Sequence, residues 1–174
     1  MKSNEVIQTI RSRRSVRKYS QEAISKENIS TMLDCARFAP SGLNNQPWRF
    51  ILMDDSKIKR DISELTHYSD IVSLAPLLIA VFLDTASSYH REKDLMAVGA
   101  SIQNILLSAH SLGIGAVWLG EILKNKESVS KILNAPEEFE LTAVLAIGYP
   151  DEENPGTKNR KSLDEIVFQN QYSM

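Results

Sequence analysis

Apolar positions change their spacing several times along the chain, and each change marks an element. Val6, Ile7 and Ile10 share one helical face behind possible caps at Ser3 and Asn4, the pattern of a short amphipathic helix. From Ser25 to Phe38, Ile29, Met32, Leu33 and Ala36 repeat at helical spacing, with Ser25 three residues ahead of Asn28 as a weakened capping box. Pro40 closes that helix, and Pro40 to Pro47 is loop chemistry before a strand over Trp48 to Met53. Lys57 to Leu65 again reads as helix, whereas Leu74 to Leu83 is apolar at almost every position, as a strand buried on both faces would be. Asp94 to Leu112 carries apolar residues nearly all the way round and predicts a buried central helix stopped by Gly113. A short strand at Ala116 to Leu119, a helix at Ser128 to Leu133 and an apolar strand at Leu141 to Ile147 follow. Asp151 to Arg160 has linker composition, yet Ile166, Val167 and Phe168 return beyond it. Such a tail needs cover, and a strand added to a second subunit's sheet would supply it.

Composition narrows the class. The 174 residues, 43% hydrophobic and 24% charged, suit one domain. A net charge of -2 gives no general attraction to nucleic acid or membrane, and the amino-terminal residues form no apolar span or secretory signal. The single cysteine, Cys35, excludes an internal disulfide and fits a reducing cytoplasm; among apolar neighbours it reads as an inert buried thiol. His67, His90 and His110 lack metal-ligand spacing, and neither a GxSxG elbow nor a Walker A loop is present.

Four segments could carry chemistry. Arg13, Arg14, Ser15 and Arg17 offer guanidinium forks and a hydroxyl matched to phosphate oxygens, although an arginine run alone more often forms a solvated face. Ser41, Gly42, Asn44 and Gln46 lie in a loop whose amides and hydroxyl could read the polar edge of a planar heterocycle; alone, it is an ordinary loop. Gly113 to Gly120 follows a helix and opens a strand, the reverse of a dinucleotide fingerprint, and Trp118 stands where that motif needs glycine. A helix stop accounts for Gly113 and leaves Gly120 unexplained. Lys158 and Arg160 form a second basic cluster that could converge with the first.

In this order and spacing, the arginine-arginine-serine-x-arginine start, the PSGLNNQPW loop, the helix leading into GIGAVWLG and the late KNRK element together resemble the nitroreductase-like flavoenzymes over essentially the whole chain. The resemblance implies an α+β three-layer sandwich, a central mixed or antiparallel sheet flanked by helices, in a homodimer that exchanges carboxy-terminal tails. It implies FMN at the subunit interface. Arg13, Ser15, Lys158 and Arg160 match the phosphate-binding positions, and Arg14 and Arg17 match positions near the flavin. Ser41, Gly42, Asn44 and Gln46 match the loop reaching in from the other subunit, while Trp118, Leu119 and Gly120 match the strand beside the isoalloxazine ring. The implied reaction takes hydride from NADH or NADPH and gives it to a small oxidised acceptor by turns, with no catalytic side chain required. His67 and Tyr68 precede the buried strand, where a substrate-facing segment could lie. A flavin store or regulator without turnover would need the same contacts, and a nucleic-acid module using the arginines is disfavoured by the acidic balance.

Overall fold

The computed structural model describes residues 4–151 and 159–172. Its elements alternate as the apolar periods do: α1 (Glu5–Ser12), α2 (Lys26–Arg37), β1 (Trp48–Met53), α3 (Ser56–Ser63), α4 (Ser69–Leu74), β2 (Leu77–Asp84), α5 (Arg91–Ser111), β3 (Gly115–Leu119), α6 (Lys126–Ile132) and β4 (Phe139–Gly148). Short 3-10 turns lie at Gly42–Asn44, Glu121–Asn125 and Leu163–Glu165.

The four named strands form one antiparallel sheet in the order β1-β2-β4-β3. β2 and β4 are central, which is why β2 is apolar at seven consecutive positions and buried at all eight. Helices cover both faces, giving the three-layer α+β sandwich. On one side Met32 and Ala36 of α2, and Val98, Ile102 and Ile105 of α5, pack against Ile79, Val81 and Leu145. On the other, Ile62, Val72 and Val129 of α3, α4 and α6 pack against Leu78, Ala80 and Val144. A bulge opposite Val81 and Phe82 inserts Thr142, whose hydroxyl donates to the Val81 carbonyl at 2.8 Å. That extra residue turns Leu141 to the face opposite Ala143.

The outer edge of β3 is covered by the basic segment after α1. Ser15 bridges Ala116 in parallel, the Val16 amide donates to the Ala116 carbonyl at 3.1 Å, and Tyr19 pairs with Pro150. The buried Tyr19 hydroxyl donates to the carbonyls of Val16 and Ala146 at 2.5 and 2.9 Å, locking this strap to the sheet.

Several expectations change. Leu74 ends α4, a helix the apolar run concealed, and β2 begins at Leu77 after Pro76, which cannot donate to a ladder. α5 is apolar all round but not enclosed: Met96 is 74% exposed in the protomer. Cys35 is half-buried rather than buried. Ile166, Val167 and Phe168 follow a 3-10 turn and lie in no strand among the described residues, and all three are exposed in the protomer. The cap expected at Asn4 is present, as is Ser25 accepting from the Asn28 amide at 3.1 Å; Ser3 lies outside the described residues. No helix among the described residues is long and apolar enough to cross a membrane.

Candidate functional site at the two ends of a central helix

α5 organises the site because a different segment is fastened at each of its ends. At the amino-terminal end, the fully buried Asp94 accepts four hydrogen bonds. Asn45 Nδ2 donates to one carboxylate oxygen at 2.9 Å; Ser88 Oγ and the amides of Tyr89 and His90 donate to the other at 2.7, 3.0 and 3.2 Å. Burial alone would push this carboxyl up, but the Ser88, Asn45, His90 and Tyr89 hydrogen bonds outweigh it and hold it below the ordinary value. Asp94 thereby anchors the loop that holds Ser41, Gly42, Asn44 and Gln46. A Cβ on Gly42 would stand 2.0 Å from the Tyr89 hydroxyl, so the space this glycine leaves is taken by the chain's own Tyr89 rather than left for a ligand. Leu43, Asn44 and Gln46 all have positive φ (54°, 55° and 48°), and Leu43 is 86% exposed. Strained backbone with its side chains held outward is typical of a segment shaped for contact. Ser41 Oγ accepts the Gln46 amide at 3.0 Å, so it serves the loop itself.

The carboxy-terminal end gathers cations. Ser12 Oγ and His110 Nε2 lie 2.7 Å apart, and an open cavity of about 490 Å³ is lined by Ser12, Arg13, Arg14, His110, Gly115 and Asp151 among others. Burial and the neighbouring Arg160 and Arg14 charges hold the Arg13 guanidinium below its ordinary value. His110 is lowered by burial and by Arg13 and Arg14. Among the described residues no carboxylate forms an ion pair with Arg13, Arg14 or Arg160. Arg160 is thus brought within electrostatic reach of Arg13 although 147 positions separate them (160 − 13). Lys158 lies outside the described residues. Arg14 folds back, donating from Nη1 to the carbonyls of Arg11 and Arg13, with its buried Nε lacking a partner among the described residues. Arg17 is exposed and reaches the Ser15 carbonyl only at 3.4 Å.

β3 runs between these ends. Trp118 is 42% exposed, above Gly99 of α5, while Leu119 is buried beneath the sheet. Gly120 has φ of -95° and a side chain there would meet nothing within 4 Å, so neither backbone nor packing requires glycine at this position.

The amino- and carboxy-terminal ends of α5 do not meet within one chain. At 1.5 Å per residue, Asp94 and His110 stand about 24 Å apart along the axis. The strap, β3 and the environment of Arg160 come together; the 41–46 loop sits at the far end.

The nitroreductase family model matches residues 10–69 and 64–149. The chain belongs to that family. A protein of Methanothermobacter thermautotrophicus assigned as an NADH dehydrogenase/NAD(P)H nitroreductase is 37% identical over 166 residues, covering 93% of this chain and 85% of its own. The iodotyrosine deiodinase of Thermotoga neapolitana is 32% identical over 168 residues, covering 82% of this chain and 87% of the relative. Among solved structures, a nitroreductase from Desulfovibrio desulfuricans in complex with FMN superimposes with a TM-score of 0.89 at 39% identity, covering 98% of this chain and 99% of that one.

Sequence reasoning about this nitroreductase-family chain missed Asp94 as an anchor because it took Asp94 as the first residue of the helix. α5 starts three residues earlier, and the carboxylate points back to the amides before it. Tyr89 and Glu121 carried no sequence signal, since their partners are distant in the chain.

Proposed function

We propose that this nitroreductase-family protein is a homodimeric, FMN-dependent NAD(P)H oxidoreductase whose two flavin sites are each assembled from both subunits. The observation that carries this reading is the separation of the two halves along α5. A flat ligand can touch both the Arg13 cluster and the Ser41–Gln46 loop if a second copy lays its α5 antiparallel across the first, setting the partner's loop beside the Arg13 end. The exposed apolar surface suits that arrangement: Met96 on α5, Val6, Ile7 and Ile10 on α1, and Phe38 beyond α2 all face solvent in the protomer. The tail's Ile166, Val167 and Phe168 gain cover by the same pairing.

The residues present fit FMN. Clustered cations with no paired carboxylate among the described residues call for an anion, and Arg13, Ser15, Arg160 and Lys158 are assigned to the phosphate. The open space at Gly120 suits a planar ring laid against the backbone of Trp118 to Gly120, with Ser41, Gly42, Asn44 and Gln46 contributed by the partner. Arg17 and Arg14 supply positive charge nearby, which favours a reduced, anionic ring. FMN held there would supply hydride transfer between a nicotinamide and a small oxidised acceptor such as a quinone or nitroaromatic. The names of the relatives, one of them a deiodinase, support redox chemistry while spanning different acceptors. The chain is read as one domain working in a reducing cytoplasm.

Purified protein should be yellow and dimeric, and should bleach anaerobically with NADH or NADPH and recolour on adding 1,4-benzoquinone. A colourless monomer overturns the reading, and a yellow dimer that never bleaches overturns its catalytic part.

A further inference from the structure

The turn joining α3 to α4 is fastened by a carboxylate from the residue immediately after Gly120. The buried Thr66 hydroxyl donates to Glu121 Oε2 at 2.7 Å, and the His67 amide donates to the same oxygen at 3.2 Å. The Tyr68 amide donates to Thr66 Oγ1 at 3.2 Å, extending the chain of bonds by one residue. The other carboxylate oxygen meets Lys124 Nζ, and Asn125 Nδ2 donates to the Leu65 carbonyl at 2.7 Å. Three consecutive residues, Leu65, Thr66 and His67, are therefore tied to the Glu121–Asn125 turn, and Tyr68 is held through Thr66.

The side chains displayed by this turn are not core. Tyr68 is 39% exposed, His67 is exposed, and their rings meet edge to face with centroids 5.6 Å apart. Surface turns are ordinarily left to water, and holding one rigid costs conformational entropy. Rigid exposed rings are useful where they wall a binding surface, and the open space at Gly120 adjoins the residue that holds them.

We propose that Glu121 is a positioning residue, its carboxylate locking the Thr66–Tyr68 turn against the end of β3 so that His67 and Tyr68 form a fixed aromatic wall selecting planar co-substrates. This rests on the placement of the flavin ring beside Trp118 to Gly120. Lys124, Thr66 and the His67 amide hold the Glu121 carboxyl down at about 2 against the opposing effect of burial, so the latch stays ionised at any working pH. Glutamine at this position keeps an acceptor oxygen for Thr66 and His67; alanine removes it.

The test uses the full chain. In the FMN-free protein, Glu121→Ala should speed amide hydrogen exchange at His67 and Tyr68 by about tenfold, and Glu121→Gln should restore most of the protection. In the FMN-loaded protein, Glu121→Ala should keep flavin affinity within about twofold while raising KM for menadione about fivefold to tenfold, with kcat changed less than about threefold. Thr66→Val, which loses only the hydroxyl, should reproduce the KM effect in part and serves if Glu121→Ala does not fold. Unchanged exchange, unchanged KM, or a glutamine variant as impaired as the alanine variant overturns the latch. A wild type that takes up no FMN overturns the latch and the flavin reading together, whereas a yellow, active wild type with an indistinguishable Glu121→Ala variant overturns the latch alone.

Discussion

The two ends of α5 solve opposite problems. At the amino-terminal end a buried carboxylate collects donors from a side-chain amide, a hydroxyl and two backbone amides, and its charge is met inside the chain. At the carboxy-terminal end arginines crowd one another, an arginine nitrogen is buried without a partner among the described residues, and a histidine is held below its ordinary pKa by burial and by those arginines. A satisfied buried charge rigidifies what it touches, while like charges held together store repulsion that only an incoming anion relieves. The first end displays a finished shape, and the second presents positive charge that no ion pair among the described residues meets.

Breaking the unfinished end should give the largest effect. Arg13→Ala combined with Arg160→Ala removes two charge-assisted contacts, each worth roughly 1.5–3 kcal/mol, so FMN affinity should fall about a hundredfold or more in a still folded protein. Fluorescence titration of the FMN-free protein measures this, and full flavin occupancy in the double variant would refute the phosphate assignment. Breaking the finished end should act on stability: Asp94→Ala leaves four part-buried donors without their acceptor and should cost about 3 kcal/mol, a Tm loss of roughly 6–12 °C by calorimetry. A Tm unchanged by that substitution would show that Asp94 is not the anchor. Bringing the two ends together across subunits is tested by Met96→Glu. Setting a charge on the exposed α5 face should weaken dimerisation by about 2 kcal/mol, near thirtyfold, with flavin lost in step on sedimentation. Flavin retained by a monomer would overturn the shared site.

The smallest effect concerns pH. His110 titrates lower in the folded chain than its ordinary value, so as pH falls below about 6.5 the unfolded chain takes up the proton first and stability declines. Because the ring is only half-buried, water screens the interaction, and His110→Gln should flatten the decline by a Tm difference of about 1–2 °C. Bound FMN should flatten it as well, since the phosphate offsets the arginines. A steeper decline with FMN present would place the anion elsewhere.

Periodicity made most of the fold legible. The run at 74–83 announced a central strand, and the near-continuous apolar surface of α5 announced a helix with more than one face to cover. The α4 helix was hidden because it has only six residues, Ser69–Leu74, three of them polar, and its last residue was read as the start of the apolar run. That Arg13 and Arg160 share one site could be raised from composition as a possible convergence of two basic clusters, and only the family resemblance singled it out, since electrostatic approach between distant segments leaves no local pattern. Gly42 shows the complementary limit: the group packed against it is the side chain of Tyr89, which no spacing rule identifies. Glu121 was invisible because its partners, Thr66 and His67, lie more than 50 residues upstream.

The strap across β3 has a consequence for biogenesis. Ser15 needs Ala116, Tyr19 needs Ala146 and Pro150, and so the arginines at 13, 14 and 17 have no edge to rest on until more than 125 further residues have been made. A nascent chain stalled before residue 146 lacks the ladder that orients them, so the strap can close only after β4 has been made.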